Sequence, residues 1–132
     1  MAIRVVRLGA PRLPGEGIRL GTVRRPPRGV PKRDFARRDF YDVWLPELAP
    51  TAPTVSTALA EPWTPARWRR FERTYLKEMA APPARHLIEL LAALSRTTSF
   101  SLGCYCEDAS HCHRAILGQL LAEAGAMMVD TP

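Results

Sequence analysis

From Ser99 onward the chain reads as strand, loop, helix and strand in close succession, and that succession constrains its fold more than any other feature. Ser99-Phe100-Ser101-Leu102-Gly103-Cys104 forms a short strand. The stretch GCYCEDASHCHR, residues 103–114, follows. It leads into a helix from about Cys112 to Ala124, with Ile116, Leu117, Leu120, Leu121 and Ala124 facing inward and Gly125 as its stop. Met127-Met128-Val129-Asp130 closes as a brief strand. Strands joined in this way through a helix argue for an α/β sheet.

The rest of the chain is consistent with that reading. Ile3 to Leu8 and Ile18 to Val23 are strands, the second ended by Arg24-Arg25-Pro26-Pro27-Arg28-Gly29. Tyr41 to Leu45 is a third strand, and Ala49 to Glu61 is a loop with room for one helical turn. Thr64 and Pro65 suit the N-cap and first position of a helix, with Trp63 and Trp68 as a hydrophobic staple. Trp68, Phe71, Tyr75 and Met79 share one face of it, which is read as core. Pro82-Pro83 open another helix with Leu87, Leu90, Leu91 and Leu94 buried and His86 in its first turn, a structural or exposed histidine. The expected fold is α/β, a single compact domain over residues 1–132 with a small central, mostly parallel sheet flanked by helices.

Composition limits the setting. Hydrophobic residues make up 46% and charged residues 24%, ordinary for a globular protein. No apolar run approaches the roughly 20 residues of a membrane span, and the N-terminus has no signal-peptide core, so a cytoplasmic protein without a membrane partner is expected. Residues 1–40 hold eleven Lys or Arg against three Asp or Glu; residues 41–132 hold eight against ten. The basic third suits phosphates, nucleic acid or an acidic partner. Seventeen of the nineteen basic residues are Arg, which coding bias also explains.

All three cysteines lie within residues 103–114, and three cannot all pair within one chain. The segment joins the C-terminal end of a strand to a helix N-terminus, where ligands of open α/β sheets collect and where free N–H groups favour anions and thiolates. At about 100° per residue His113 projects along the centre of the apolar face, with Arg114 and Cys112 on its flanks and His111 pointing away. His113 is either a core histidine bonded to a backbone carbonyl or a proton carrier; both readings stand. Cys104, Cys106 and Cys112 with His111 or His113 would supply a zinc set, but Cys-x-Cys and Cys-His neighbours depart from ordinary zinc spacing, so zinc is the lesser reading and no cofactor is expected. The Cys-x5-Arg phosphate loop is excluded, because Arg114 follows Cys106 by eight residues, Cys104 by ten and Cys112 by two. A thiolate supported by His113, with Arg114 clamping an anion, remains. Asp108 and Ser110 are read as caps.

In these segments the chain resembles the domain-of-unknown-function 488 family, including its YeaO-like branch. Cys104, Glu107, Asp108, Cys112, His113 and Arg114 are similar to the family's cysteine, acidic and Cys-His-Arg positions. Arg24 to Gly29 is similar to the branch's Arg-x-x-Pro-Arg-Gly turn, and Phe71-x-x-x-Tyr75 to its Phe-x-x-x-Tyr helix. The likeness spans about residues 18–125. Val23 and Pro26 stand where the branch has an acid and a tryptophan. The resemblance implies an α/β fold and a site at the cysteine segment, and it brings Arg24 and Arg28 into play; as the turn that ends the second strand they are expected at the same sheet edge as the cysteine loop. The leading expectation is a pocket for a small anionic or phosphate-bearing ligand, held by Arg24, Arg28 and Arg114, with His113 moving protons and Cys104 or Cys112 as reactive thiol. Whether the pocket is catalytic is left open. The alternatives are a nucleic-acid-binding module using the Arg-rich third, and a zinc-binding or redox-sensing domain.

Overall fold

A computed structural model describes residues 2–129. Four strands, β1 (Ile3–Arg7), β2 (Ile18–Gly21), β3 (Val43–Trp44) and β4 (Phe100–Cys104), form one sheet in the order β1-β4-β2-β3. Every pairing is parallel. The helices are α1 (Ala52–Leu59), α2 (Pro65–Met79), α3 (Ala84–Leu94) and α4 (His113–Glu123). The expected α/β class with a small parallel sheet is what the chain adopts. No described helix is long and apolar enough to cross a membrane.

The register explains how the two sheet faces differ. Val5, Leu20 and Leu102 are aligned across three strands, and so are Arg4, Arg19 and Ser101. Side chains alternate along a strand, so the first set faces one side and the second the other. The apolar side meets α2, α3 and α4, where Ile3, Leu20, Leu102, Tyr75, Leu91 and Leu117 join one buried cluster. β4 lies inside the sheet and is buried along its whole length.

The opposite side carries Arg19, Gly21, Ser101 and Gly103, and loops rather than helices cover it. A Cβ on Gly21 would lie 2.3 Å from the Tyr41 ring, so that ring sits directly on the strand. Fully buried Arg19 donates to both carboxylate oxygens of Glu16, at 2.7 and 3.0 Å, and to the carbonyls of Ala10 and Asp39, each at 2.7 Å. Ser101 Oγ donates to the same carboxylate at 2.6 Å. Burial would raise the Glu16 pKa, but these hydrogen bonds hold it down at about 2.

Local signals behaved as their chemistry requires. Thr64 Oγ1 accepts the Arg67 N–H at 3.1 Å, and the Trp63 and Trp68 rings meet edge to face at 5.3 Å. Four expectations need correction. Ala52–Leu59 is a helix of eight residues, begun by Pro53 in its first turn, where one turn was expected within a loop. In α3 the buried stripe is Ala84, Ile88, Leu91 and Ala92, while Leu90 and Leu94 are 52% and 40% exposed. Leucine spacing set the helical phase in the sequence reading, whereas the small Ala84 and Ala92 let the helix approach. Ala124 is exposed, because α4 ends at Glu123. The closing strand is reduced to one parallel bridge between Met128 and Ile3, with Asp130 outside the described residues.

Candidate functional site

All strands of a parallel sheet end at one edge, and here that edge opens into a cavity of about 950 Å³. Four segments enclose it: the turn after β2, helix α1, the start of α2, and the loop from Cys104 to His113. The Arg24–Arg28 turn and the cysteine segment, 80 residues apart in sequence, therefore face the same space.

The floor is a cluster of sulfur. Cys104 ends β4, Cys106 lies in the following loop, and Cys112 is the N-cap of α4, with extended backbone angles of φ −137° and ψ 141°. Their Sγ atoms all lie within 4.8 Å of one another. Cys104 and Cys112 are buried, and their sulfurs touch across a Cα separation of 7.8 Å. The structure joins these two sulfurs, across a Cα separation wider than the roughly 4.4–6.8 Å of ordinary disulfides, so the site offers three thiols only in its reduced form. Cys106 is the exposed member; partial burial raises its thiol pKa while the Arg114 charge opposes that rise.

His113 and Arg114 support this floor from the first turn of α4. His113 is only 8% exposed, and its Nε2 lies 2.6 Å from the Thr22 carbonyl oxygen. A carbonyl can only accept, so Nε2 carries the proton and Nδ1 keeps a lone pair when the ring is neutral. Burial pushes the ring pKa down to about 4, with the Thr22 bond opposing, which makes it neutral near pH 7. Nδ1 is 3.9 Å from Cys112 Sγ, within reach of a thiol proton. The geometry is that of a core histidine bonded to a backbone carbonyl, with Nδ1 facing Cys112 Sγ. Arg114 lies behind the cavity wall. Its Nη1 donates to the Cys106 carbonyl at 2.8 Å and to the Cys104 carbonyl at 3.3 Å, and it is 3.8 Å from Cys104 Sγ. Its cation faces sulfur and loop backbone.

The arginine turn is held rigid by its neighbours. Trp44 Nε1 donates to the Val23 carbonyl at 2.7 Å, and the Tyr105 hydroxyl to the Arg25 carbonyl at 3.0 Å. Arg24 turns away from the ligand role and donates to the carbonyls of Pro50 and Ala49, at 2.9 and 3.2 Å, tying the turn to the start of α1. Arg25 and Arg28 are exposed cavity-lining residues, and neither pairs with a carboxylate among the described residues. Four other cations of the basic third are occupied, Arg19 by Glu16, Arg12 by Asp39 and Asp42, Arg7 by Glu107 and Arg37 by Asp34, whereas Arg4, Lys32, Arg33 and Arg38 have no carboxylate partner among the described residues.

Sequence reasoning missed the aromatic wall. Trp63 and Phe71 line the cavity, and His111 stacks on Trp63 at 5.7 Å with its Nδ1 2.9 Å from Asp108 Oδ2. Asp108 also caps the turn at Ser110, and these contacts lower its pKa to about 2. A helical stripe resembles core in any sequence. The available signal was Trp63, which precedes the helix and so stands at its rim.

A family model described as "Active DUF488-N3 subclade" matches residues 3–125. No curated protein and no solved structure matches the chain.

Proposed function

The chain belongs to the DUF488-N3a family, and we propose that its cavity binds a small anionic substrate, a phosphate or carboxylate, and presents it to a thiol. The observation that carries this reading is the meeting of three cysteine sulfurs and two uncommitted arginines in one open cavity. Arg25 and Arg28 are the anion ligands; a guanidinium matches either oxyanion through paired N–H donors. Arg24 positions their turn. Arg114, placed among the anion ligands by sequence reasoning, takes a different role: its charge stabilises the thiolate of Cys104, the nucleophile. Cys112 and His113 Nδ1 form the adjoining thiol–imidazole pair that carries a proton to or from the reacting group. A nucleic-acid surface draws less support, because it gives no part to the cysteine cluster that shares the cavity with Arg25 and Arg28.

Mass-mapped alkylation of the reduced protein tests this. Cys104 should react faster than a free thiol, and inorganic phosphate should slow it in wild type but not in Arg28→Ala. Equal, unprotected reactivity at all three cysteines would overturn the reading.

A further inference from the structure

We infer that Cys104, Cys106 and Cys112 also form a binding site for a zinc-class divalent ion, with the fourth coordination position facing the cavity. The inference deepens the proposed function by naming a regulator of the same thiols, since a coordinated sulfur is withdrawn from nucleophilic work. Metal capture itself does not depend on that reading.

Geometry carries the assignment. A tetrahedral ion with Zn–S bonds of about 2.3 Å places its sulfurs roughly 3.8 Å apart; the three Sγ atoms lie within 4.8 Å of one another, and the paired Cys104 and Cys112 sulfurs must be reduced and part to admit the ion. The spacing that disfavours zinc in sequence terms is offset by the backbone. The strand ends at Cys104, so the chain is free to turn Cys106 back toward the same point. Cys112 is extended rather than helical, which aims its side chain off the axis of α4. The sulfurs therefore come from three backbone environments and still converge.

Charge agrees. Each thiol would lose its proton to solvent as its bond to the metal forms. Three thiolates and a divalent ion leave one negative charge, and the Arg114 guanidinium, 3.8 Å from Cys104 Sγ, offsets it. The free N–H groups at the N-terminus of α4 add to the same side. His113 meets the cluster at Cys112, with Nδ1 3.9 Å from Sγ and its other nitrogen fixed on the Thr22 carbonyl. That second bond is the support that metal-facing histidines ordinarily have. Thiolate donors select zinc-class ions over magnesium or calcium, which prefer oxygen.

Cobalt(II) is the probe. Chelator-treated, reduced, full-length protein should bind one equivalent, with near-ultraviolet sulfur-to-cobalt charge-transfer absorption, and zinc should abolish that signal and block alkylation of all three cysteines. Cys106→Ser changes the exposed member and should leave the fold intact by circular dichroism. It should weaken cobalt binding by more than the roughly 10–100-fold that loss of a supporting contact costs. Absence of charge-transfer absorption in the folded wild type, or undiminished binding by Cys106→Ser, would overturn the inference. The phosphate-protection experiment is run on metal-free protein. Cobalt binding without phosphate protection therefore sinks the anion reading alone, and protection without cobalt binding sinks the metal site alone.

Discussion

The loop-covered face of the sheet and its C-terminal edge use the same residue types to opposite ends. On the face, the Arg19 guanidinium, the Glu16 carboxylate and the Ser101 hydroxyl bond to one another and to the Ala10 and Asp39 carbonyls. At the edge, Arg25 and Arg28 lack a carboxylate, and three sulfurs crowd together. Two buried groups have no hydrogen-bond partner among the described residues: the Tyr41 hydroxyl, in the cluster that holds Cys104 and Cys112, and Arg4 Nε, the one unsatisfied group on the loop-covered face. Polar groups that satisfy one another hold the fold, whereas groups left with spare bonding capacity mark where another molecule would enter.

The largest expected effect breaks the first half of that comparison. Arg19→Ala leaves the Glu16 carboxylate buried without its cation, which should cost about 3–5 kcal/mol in chemical denaturation. Glu16→Gln combined with Arg19→Met should recover most of it, because burial of an unpaired charge is the damage. A double variant no more stable than Arg19→Ala would show that the contacts to Ala10 and Asp39 matter more. The same pair sets an acid dependence. The folded Glu16 pKa, about 2, lies below its ordinary value of 4.5. Its contribution is therefore complete above pH 4.5 and is lost as pH falls toward 2. Over that range the melting temperature of wild type should fall more steeply than that of Glu16→Gln.

An intermediate effect is expected where the two regions meet. Gly21 lies in β2 beneath Tyr41, and an added methyl must displace that ring. Gly21→Ala should cost about 1–3 kcal/mol, the usual range for overpacking. It should also change the alkylation rates of Cys104 and Cys112, because Tyr41 shares one buried cluster with both. A stability loss with unchanged thiol rates would show that the sheet face and the site are independent.

The legible parts of the molecule were those written in local chemistry. The Thr64-Pro65 helix start, the strand that ends in Cys104 and the inward direction of His113 depend on residues within a turn or two of each other. The shared cavity was legible from two strand ends expected at one sheet edge, with the family resemblance drawing attention to residues 24–29. The roles of individual arginines were not legible. Arg19 and Arg28 are the same residue type in the same basic stretch, yet one is fully buried on Glu16 and the other exposed at a cavity rim. That difference comes from strand register, which aligns Arg19 with Ser101, and from a loop that returns Glu16 to the sheet. The phase of α3 was misread because leucine marks a buried face only when no close approach favours alanine.

The smallest effect on stability should be the most informative about the edge. Arg24 and Arg28 lie four residues apart on one turn, and the sequence alone treats them as equals. Arg24 donates to two backbone carbonyls and holds the turn against the start of α1. Arg24→Ala should therefore lower stability by about 1.5–3 kcal/mol, as loss of charged hydrogen bonds does, and should loosen the anion site with it. Arg28 is exposed and lacks a carboxylate partner, so Arg28→Ala should change stability by no more than about 0.5 kcal/mol. It should nonetheless abolish the protection of Cys104 by phosphate. Comparing the two variants separates a residue that builds the site from one that uses it. If both variants lose stability and protection together, Arg28 belongs to the scaffold and the anion must be held elsewhere on the rim.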